Sequence, residues 1–280
     1  MNILWTTTQI KRLKELGAGE EDLARAFENP ADRERAFQAL EHELARSGRR
    51  KLAELLAGPR RSRLCRLESR LAEVLIKRGF VQVTTPTIMA KGLLAKMSID
   101  DHHPLASQIF WLGRERCLRP MLAPHLYYVL KDLLRLWEKP VRLFEIGSCF
   151  RKESQGARHA NEFTMLNLVE MGLDGSDRRQ RLEELASLIC GTAGVDDFVL
   201  QPVESAVYGE TIDILAGEER LEIGSSAMGP HALDRAWQIA DAWVGIGFGL
   251  ERLLMAATGI KSMGRLGRSL AYLDGIRLNI

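Results

Sequence analysis

Two apolar segments with alternating polar residues constrain the fold of this chain more than any other feature. They are VRLFEIGSCF, at residues 141–150, and NEFTMLNLVEM, at residues 161–171. Alternation with a period of two predicts β-strands, and the charged segment between them predicts a loop that pairs them. On the second strand the alternation places Phe163, Met165, Asn167 and Val169 on one face.

The loop between these strands is rich in charge. It contains Arg151, Glu153, Arg158 and His159. Guanidinium groups bind phosphate through paired hydrogen bonds and stabilise charge as it develops, so the loop is typical of a site for a polyanionic ligand. Phe163, beside the loop, is placed to stack on a nucleobase.

Asn167 is an amide on an otherwise apolar strand face. Burial of an amide without a hydrogen-bond partner costs ~1–3 kcal/mol, so this side chain needs a partner. The partner is either a ligand that lies against the strand or a neighbouring backbone group. The sequence pattern alone leaves both interpretations open.

The remaining pattern predicts an α+β fold. Residues 6–17, 29–48 and 61–79 have helical spacing, and each segment ends at a glycine. Further helices are predicted at 123–137 and 177–191, and strands at 80–89, 108–112, 117–122, 198–203, 210–215 and 220–226. Because strict β-α-β alternation is missing, we expect an antiparallel sheet with helices packed on it. We expect residues 1–60 to form a helical, basic appendage and residues 61–280 to form the main domain.

The segment GIGFGLERLL predicts a strand that leads into a helix. Its glycines, Gly245, Gly247 and Gly249, fall on one face of the strand and leave that face bare. A flat ligand could lie against the backbone there, and Glu251 and Arg252 follow at the helix start. A dinucleotide-type loop or plain close packing are the alternatives, although the spacing is neither G-x-G-x-x-G nor that of a P-loop.

Composition excludes several classes of protein. The 280-residue chain has no apolar run near the ~20 residues that span a bilayer. Its first residues lack the pattern of a secretory signal. The cysteines, Cys65, Cys117, Cys149 and Cys190, lack the spacing of a metal site. We therefore expect a cytoplasmic protein with reduced thiols.

Positive charge is concentrated between Arg46 and Arg66. This segment has eight Arg or Lys residues against one acid, Glu54, although the net charge of the chain is only +2. It is either a solvated helical face or a patch that binds nucleic-acid phosphates. No aromatic residue is interleaved there, so stacking on bases is not expected.

Three segments, taken together, resemble the signature motifs of class II aminoacyl-tRNA synthetases. They are GFVQVTTPTIM, FRKESQGARHANEFTMLNL and GIGFGLERLLM. More narrowly, LRPMLAPHLY, VYGETID and RSLAYLDGIRLNI are similar to the pyrrolysyl-tRNA synthetase family, in its one-piece bacterial form. The resemblance implies an ATP- and Mg²⁺-dependent ligase that joins pyrrolysine to its cognate tRNA and acts as a homodimer.

The resemblance also implies roles in ATP binding. Arg151 would hold the α-phosphate and stabilise the pentavalent transition state, and Phe163 would stack on adenine. Arg252 would cover the other face of adenine and reach the γ-phosphate, which makes Arg151 and Arg252 the catalytic residues. The other implied ATP contacts are Glu153, His159, Ala160, Glu222, Ile223 and Ser225. Glu222 and Ser225 occupy the positions where the family holds Mg²⁺.

An amino-acid pocket follows from the same resemblance. Asn167 would bind the side-chain amide carbonyl of pyrrolysine, and Tyr208 would cap the ring. The other implied pocket residues are Ala123, Leu126, Tyr127, Leu130, Met165, Val169 and Trp243. Without the resemblance, the residues of the 123–137 helix would be interpreted as ordinary core packing.

The basic segment is then assigned to tRNA phosphates, through Arg49, Arg50, Arg60 and Arg61. The need for a separate tRNA-binding protein is left open. Two alternatives remain: a class II ligase for another lysine derivative, and a non-catalytic, synthetase-derived tRNA-binding protein. The joint presence of Arg151, Glu153, Phe163 and Arg252 argues against the second, because tRNA binding alone does not need them.

Overall fold

The computed structural model describes residues 3–152, 156 and 160–280. Within these residues the α-helices are α1 Thr7–Leu16, α2 Glu20–Leu23, α3 Pro30–Ala57, α4 Arg63–Lys77, α5 Lys91–Ala95, α6 Ala123–Leu136, α7 Arg178–Ala193, α8 Leu250–Thr258 and α9 Met263–Leu266. Two 3₁₀-helices span Pro104–Gln108 and Ala232–Trp237. In the described part of the chain, no helix is long and apolar enough to cross a membrane.

The strands are shorter at both ends of the chain than in its middle. They are β1 Ile3–Leu4, β2 Ala26–Phe27, β3 Val81–Gln82, β4 Ile88–Ala90, β5 Arg116–Leu118, β6 Val141–Phe150, β7 Glu162–Met171, β8 Phe198–Ser205, β9 Gly209–Ala216, β10 Leu221–Gly229, β11 Trp243–Gly249, β12 Tyr272–Leu273 and β13 Ile276–Arg277. The two long strands predicted around the charged loop are therefore present as β6 and β7.

The chain divides into two compact units. The first contains the chain up to Arg63 together with Ser269–Ile280, and the second contains Leu64–Arg268. Ser269–Ile280 thus groups with the helical N-terminal region, although the sequence predicted it to be part of the region 61–280.

The first unit is built on α1 and α3. Thr6 and Gln9 form a capping box at the start of α1, and Gly17 ends this helix in the left-handed conformation at φ 91°. Its small core contains Trp5, Leu13, Phe27 and Leu40. Apolar burial of this kind, rather than helix propensity, supplies most of the stability of such helices.

The predicted end of a helix at Gly48 is wrong, because α3 continues to Ala57. A Cβ atom at Gly48 would lie 2.9 Å from Ile280 Cδ1 and 3.3 Å from Ile276 Cγ2. The glycine therefore lets the C-terminal segment pack closely against the helix. A glycine that serves close packing is indistinguishable in sequence from one that stops a helix.

A seven-stranded sheet organises the second unit. Its strand order is β3-β6-β7-β11-β10-β9-β8. The pairing of β3 with β6 is parallel, and every other pairing in this sheet is antiparallel. The predicted α+β architecture, an antiparallel sheet flanked by helices, is confirmed.

The two faces of this sheet have different neighbours. One face packs against α4, α7 and α8 through residues such as Phe144, Leu166 and Phe248. The other face packs against α6 and the second 3₁₀-helix through residues such as Val169 and Trp243. Since side chains alternate along each strand, the odd-numbered residues of β7 and β11 turn to this second face, where the candidate site lies.

Candidate functional site

A cavity of about 320 Å³ opens on the second face of the sheet. Every predicted ATP and amino-acid contact within the described part of the chain lines it. These residues are Ala123, Leu126, Tyr127, Leu130, Arg151, Ala160, Phe163, Met165, Asn167, Val169, Tyr208, Glu222, Ile223, Ser225, Trp243 and Arg252. Glu153 and His159 lie outside the described residues. Residues that are far apart in the sequence are thus brought together by β7, β10, β11 and α6.

Alternate glycines of β11 form the floor of the cavity. Gly245 pairs with Val169, Gly247 with Asn167 and Gly249 with Met165. A Cβ atom on Gly247 would lie 3.3 Å from Met165 Cε and 3.7 Å from Asn167 Oδ1. The predicted bare face is therefore present, and it leaves room for a ligand between these side chains.

The floor connects two chemically different ends. Trp243 begins β11 and lies among aromatic and aliphatic side chains, whereas Gly249 ends it beside Arg252. The six steps from the first to the last residue of this strand span ~20 Å at 3.3 Å per residue. The cavity is thus long enough to hold an elongated apolar group at one end and a polyanion at the other.

Arg151 directly follows β6 and lines the polar end of the cavity. Its Nε donates to the backbone oxygen of Pro120 at 3.0 Å, and its guanidinium lies 5.5 Å from the centre of the Phe163 ring. A cation over an aromatic face is attracted by the ring quadrupole. Arg151 and Phe163 are therefore held side by side, as a phosphate contact and a base-stacking surface require.

A buried ion pair supports the segment that holds Arg151. Arg119 Nη1 lies 2.7 Å from Glu145 Oε1, and both side chains are buried. The backbone oxygen of Arg119 accepts a hydrogen bond from the N–H of Phe150 at 3.0 Å, next to the Pro120 oxygen that binds Arg151. This pair is not evident from the sequence, because a single charged residue in an apolar strand does not reveal its partner.

Arg252 faces Glu222 across the cavity mouth. Arg252 Nη1 donates to the backbone oxygen of Glu222 at 3.2 Å and lies 3.4 Å from its Oε1. The Arg252 side chain is 26% exposed and that of Glu222 is 50% exposed, so both remain accessible to a ligand. A register shift between Glu222 and Gly224 turns β10 at this point.

The predicted metal ligands, Glu222 and Ser225, offer a carboxylate and a hydroxyl on the cavity wall. Among the described residues, no cluster of three or more His, Cys, Asp or Glu side chains could hold a metal ion by itself. Mg²⁺ is often bound by one or two protein oxygens together with the phosphates of a substrate. The side chains present therefore fit a magnesium ion that arrives with a nucleotide.

The apolar end of the cavity is lined by α6 and by β7. Ala123, Leu126 and Leu130 come from α6, and Val169 comes from β7. Asn167 lies between Met165 and Val169 on the same face and is half-buried. Its side-chain amide makes no hydrogen bond to any described residue. This observation favours a ligand contact over the alternative in which the amide binds a neighbouring backbone group.

Aromatic rings close this end. Tyr127 stacks on Trp237 at 5.3 Å and meets Trp243 edge-on at 5.9 Å, and Tyr208 meets Trp243 edge-on at 6.1 Å. Burial raises the pKa of Tyr127, and the neighbouring Tyr208 and Asp234 act in the same direction. Tyr127 therefore stays neutral. Trp237 and Asp234 were missed in the sequence, where the segment HALDRAW carries no motif.

The predicted tRNA contacts belong to the first unit. Arg49 and Arg50 lie on α3, and Arg60 and Arg61 follow its C-terminal glycine. All four side chains are exposed. Their assignment to tRNA stays a prediction.

The family profile described as "tRNA synthetases class II core domain (F)" matches residues 56–274. Among curated relatives, a histidine–tRNA ligase of Methanocaldococcus jannaschii is 32% identical over 111 residues, which cover 38% of this chain and 26% of the relative. A lysine–tRNA ligase of Staphylococcus aureus is 28% identical over 148 residues, or 52% of this chain and 26% of the relative. The chain thus matches about a quarter of the length of these relatives.

Solved structures give longer matches. The crystal structure of pyrrolysyl-tRNA synthetase from Desulfitobacterium hafniense is 53% identical, with a TM-score of 0.93 and 99% of both chains covered. A second structure from the same organism, also titled as a pyrrolysyl tRNA synthetase, has 53% identity, a TM-score of 0.90, and coverage of 99% of this chain and 96% of the other.

Proposed function

Because the chain belongs to the class II aminoacyl-tRNA synthetase family, within its pyrrolysyl branch, we propose that it activates pyrrolysine with ATP and transfers it to the cognate tRNA. One observation carries the choice of substrate beyond the family. The amide of Asn167 has no hydrogen-bond partner among the described residues, and it projects into a long, mostly apolar cavity. A long apolar amino acid with one amide carbonyl matches this arrangement.

The first step is the attack of the amino-acid carboxylate on the α-phosphorus of ATP. A new P–O bond forms, the bond to the bridging oxygen breaks, and pyrophosphate leaves. Arg151 would hold the α-phosphate and stabilise the charge that develops on its oxygens. Phe163 and Arg252 would enclose adenine from its two faces, and Arg252 would also reach the γ-phosphate.

The second step transfers the acyl group to tRNA. The terminal ribose hydroxyl attacks the carbonyl carbon of the adenylate, AMP leaves, and the hydroxyl proton passes to the phosphate or to solvent. This sequence requires no protein nucleophile, since positioning and charge stabilisation supply the rate. Mg²⁺, held by Glu222, Ser225 and the phosphates, would neutralise the negative charge of ATP.

Several further contacts are part of the proposal. Ala160, Ile223 and the residues Glu153 and His159 of the charged loop complete the ATP site. The pyrrolysine side chain is enclosed by Ala123, Leu126, Tyr127, Leu130, Met165, Val169, Tyr208 and Trp243. The small side chain of Ala123 leaves volume at the start of α6 that a larger residue would fill.

The proposed partners are tRNA and a second copy of the chain. The exposed basic side chains of Arg49, Arg50, Arg60 and Arg61 support binding of tRNA phosphates. The homodimer, and assistance from a separate tRNA-binding protein, are proposed by analogy with the family. Among the described residues none of the four cysteines forms a disulfide, which supports a cytoplasmic location.

ATP–pyrophosphate exchange tests this function directly. The assay is run with Mg²⁺ and without tRNA, on pyrrolysine, on a simple Nε-acylated lysine and on each standard amino acid. Exchange confined to pyrrolysine and its analogues is expected. Exchange with a standard amino acid would preserve the ATP site but refute the substrate, and no exchange with any of them would favour a tRNA-binding protein.

A further inference from the structure

Asp234 is a buried carboxyl that lies behind the aromatic end of the cavity. It is 1% exposed and belongs to the 3₁₀-helix Ala232–Trp237. It is not among the described residues that line the cavity. A charged residue type at so buried a position needs several hydrogen-bond partners.

Three donors converge on this carboxyl. Oδ1 accepts a hydrogen bond from Tyr127 Oη at 3.0 Å. Oδ2 accepts from Trp243 Nε1 at 2.7 Å and from the backbone N–H of His231 at 2.7 Å. The His231 contact fixes Asp234 on its own helix, and the other two contacts connect it to α6 and to β11.

We propose that Asp234 is a positioning residue, which sets the shape of the amino-acid pocket by holding Tyr127 and Trp243 through their polar atoms. Both rings line the cavity. Because their hydroxyl and indole N–H groups are bound to Asp234, the rings present carbon surface to a ligand. Asn167 is then the amide that distinguishes one substrate from another at this end. This inference rests on the proposed function only for its kinetic test.

The two rings also contact each other, so loss of Asp234 would affect them together. Tyr127 and Trp243 meet edge-on at 5.9 Å, and Tyr208 and Trp243 meet edge-on at 6.1 Å. Without the Asp234 carboxylate, the buried O–H of Tyr127 and the buried N–H of Trp243 lose the acceptor that they share. The rings are then expected to turn, and the pocket loses its fit to the substrate.

Two substitutions of Asp234 distinguish the loss of its hydrogen bonds to the two rings from the loss of its negative charge. Asp234→Leu removes both acceptor oxygens and keeps the branching of the side chain at Cγ. Asp234→Asn keeps one oxygen, which can accept from Trp243 and His231, while its NH₂ group can donate to the Tyr127 hydroxyl. The asparagine variant is therefore the conservative control, and it is expected to restore the pocket.

The kinetic test measures KM for pyrrolysine and KM for ATP in pyrophosphate exchange. Asp234→Leu is expected to raise KM for pyrrolysine on the order of tenfold, the factor that corresponds to about one net hydrogen bond. KM for ATP is expected to stay within about twofold, and Asp234→Asn to resemble the unaltered protein. An unchanged KM for pyrrolysine, equal rises in both constants, or equal losses in the two variants would overturn the proposal.

A spectroscopic test does not depend on the substrate. The protein is labelled with ¹⁵N-tryptophan, and the indole N–H signal of Trp243 is assigned with Trp243→Phe. This signal is expected to be protected from hydrogen exchange, to move and lose protection in Asp234→Leu, and to be retained in Asp234→Asn. If the Trp243 indole signal keeps its position and its protection in Asp234→Leu, the proposal is overturned. This outcome can be read even if the chain is inactive on pyrrolysine and the proposed function fails.

Tyr127→Phe keeps the test decisive if Asp234→Leu does not fold. This variant removes the Tyr127 donor and retains the two other donors to Asp234, Trp243 and the backbone N–H of His231. KM for pyrrolysine is expected to rise and KM for ATP to stay constant, with increased exchange at the Trp243 indole. A variant that changes neither KM for pyrrolysine nor indole exchange would overturn the role of Asp234.

Discussion

The Glu251 carboxylate accepts the backbone N–H of Thr164 with both of its oxygens, each at 3.0 Å. The Thr164 hydroxyl donates to the same carboxylate at 3.0 Å, and Arg268 donates to that hydroxyl. These bonds join the start of α8 to β7. Their neighbours in sequence, Phe163 and Arg252, line the cavity. The contact therefore fixes the spacing of two side chains that the proposed function assigns to adenine.

This buried carboxylate predicts a pH-dependent difference in stability. Burial raises the pKa of Glu251 above its ordinary 4.5, although the Thr164 bonds and Arg268 act in the opposite direction. When the pKa of a carboxyl is higher in the folded than in the unfolded state, the folded protein is stabilised below the unfolded pKa. This stabilisation is lost as the pH rises from the unfolded pKa through the folded pKa. The free energy of unfolding of Glu251→Gln, relative to the unaltered protein, is therefore expected to increase over this window.

Urea denaturation at several pH values from about 4 upwards measures this difference, and each unit of pKa shift corresponds to ~1.4 kcal/mol. Glu184→Gln is the control, because Glu184 is exposed and its pKa is lowered, chiefly by a hydrogen bond from Gln180 and by Arg181. A Glu251→Gln curve parallel to that of the unaltered protein would contradict the prediction.

Arg151→Ala is expected to reduce ATP–pyrophosphate exchange by ~10²–10³-fold, the usual loss when one preorganised group for transition-state charge is removed. The fold is expected to persist, because the Arg151 side chain lines the cavity and is not part of the buried core. Lys152→Ala is the matched control: it is the next cation in the chain, and its ammonium lies over Phe110 instead of in the cavity. Near-normal exchange in Arg151→Ala would refute its role at the α-phosphate.

Asn167→Ala separates a substrate contact from a structural amide. Because this amide makes no hydrogen bond within the described residues, its removal is expected to change the free energy of unfolding by less than ~0.5 kcal/mol. kcat/KM for pyrrolysine is expected to fall on the order of tenfold to a hundredfold, while KM for ATP stays constant. Thermal unfolding and exchange kinetics measure the two effects. A destabilised protein with unaltered pyrrolysine kinetics would make Asn167 a core amide.

The sequence predicted the parts of this site that follow from local periodicity. Alternation along β7 correctly placed Met165, Asn167 and Val169 on one face, and the G-x-G-x-G spacing correctly predicted the bare strip of β11. These features depend only on the pleat of a strand.

Features that depend on distant partners were not predictable in this way. Gly48 was interpreted as a helix end, but it packs against Ile280. Residues 108–112 were expected to be a strand, yet the structure has a 3₁₀-helix up to Gln108 and an isolated bridge at Trp111. Asp234 gained its role from contacts with α6 and β11, and no spacing within HALDRAW indicates them.

The glycine floor of the cavity gives a fourth prediction. In Gly247→Ala the new methyl group would stand between Met165 and Asn167, at 3.3 and 3.7 Å. These distances require only a small shift, so the fold is expected to tolerate the change, but the methyl group takes volume from the ligand. KM for pyrrolysine or for ATP is expected to rise on the order of tenfold, the effect of losing about 1.4 kcal/mol of binding.

Gly191→Ala is the matched control for that variant. Gly191 lies in α7, and a Cβ atom there would meet nothing within 4 Å. Alanine is expected to stabilise this helix by ~0.5–1 kcal/mol without altering either KM. Unchanged kinetics in Gly247→Ala would show that substrates do not approach the strand.

The basic surface of the first unit gives the last prediction. Reversal of charge at four exposed positions is expected to weaken tRNA binding and to make the dependence of log K on log salt less steep, by about 0.7–0.9 for each phosphate that the protein no longer neutralises. The positions are Arg49, Arg50, Arg60 and Arg61. Exchange without tRNA is expected to remain unchanged, because the activation step does not involve these side chains. Binding is measured by filter retention or anisotropy at several salt concentrations.

The matched control reverses four other exposed cations and so makes the same change in net charge. These are Arg114, Arg135, Arg179 and Lys261, all in the second unit. If loss of net attraction alone governs tRNA affinity, both variants will lose the same affinity and the same slope. If the first unit contacts the phosphates directly, the reversal at Arg49, Arg50, Arg60 and Arg61 will have the larger effect on both. Equal effects of the two variants would therefore refute a specific contact between the first unit and tRNA. They would not refute the proposal that tRNA is a substrate.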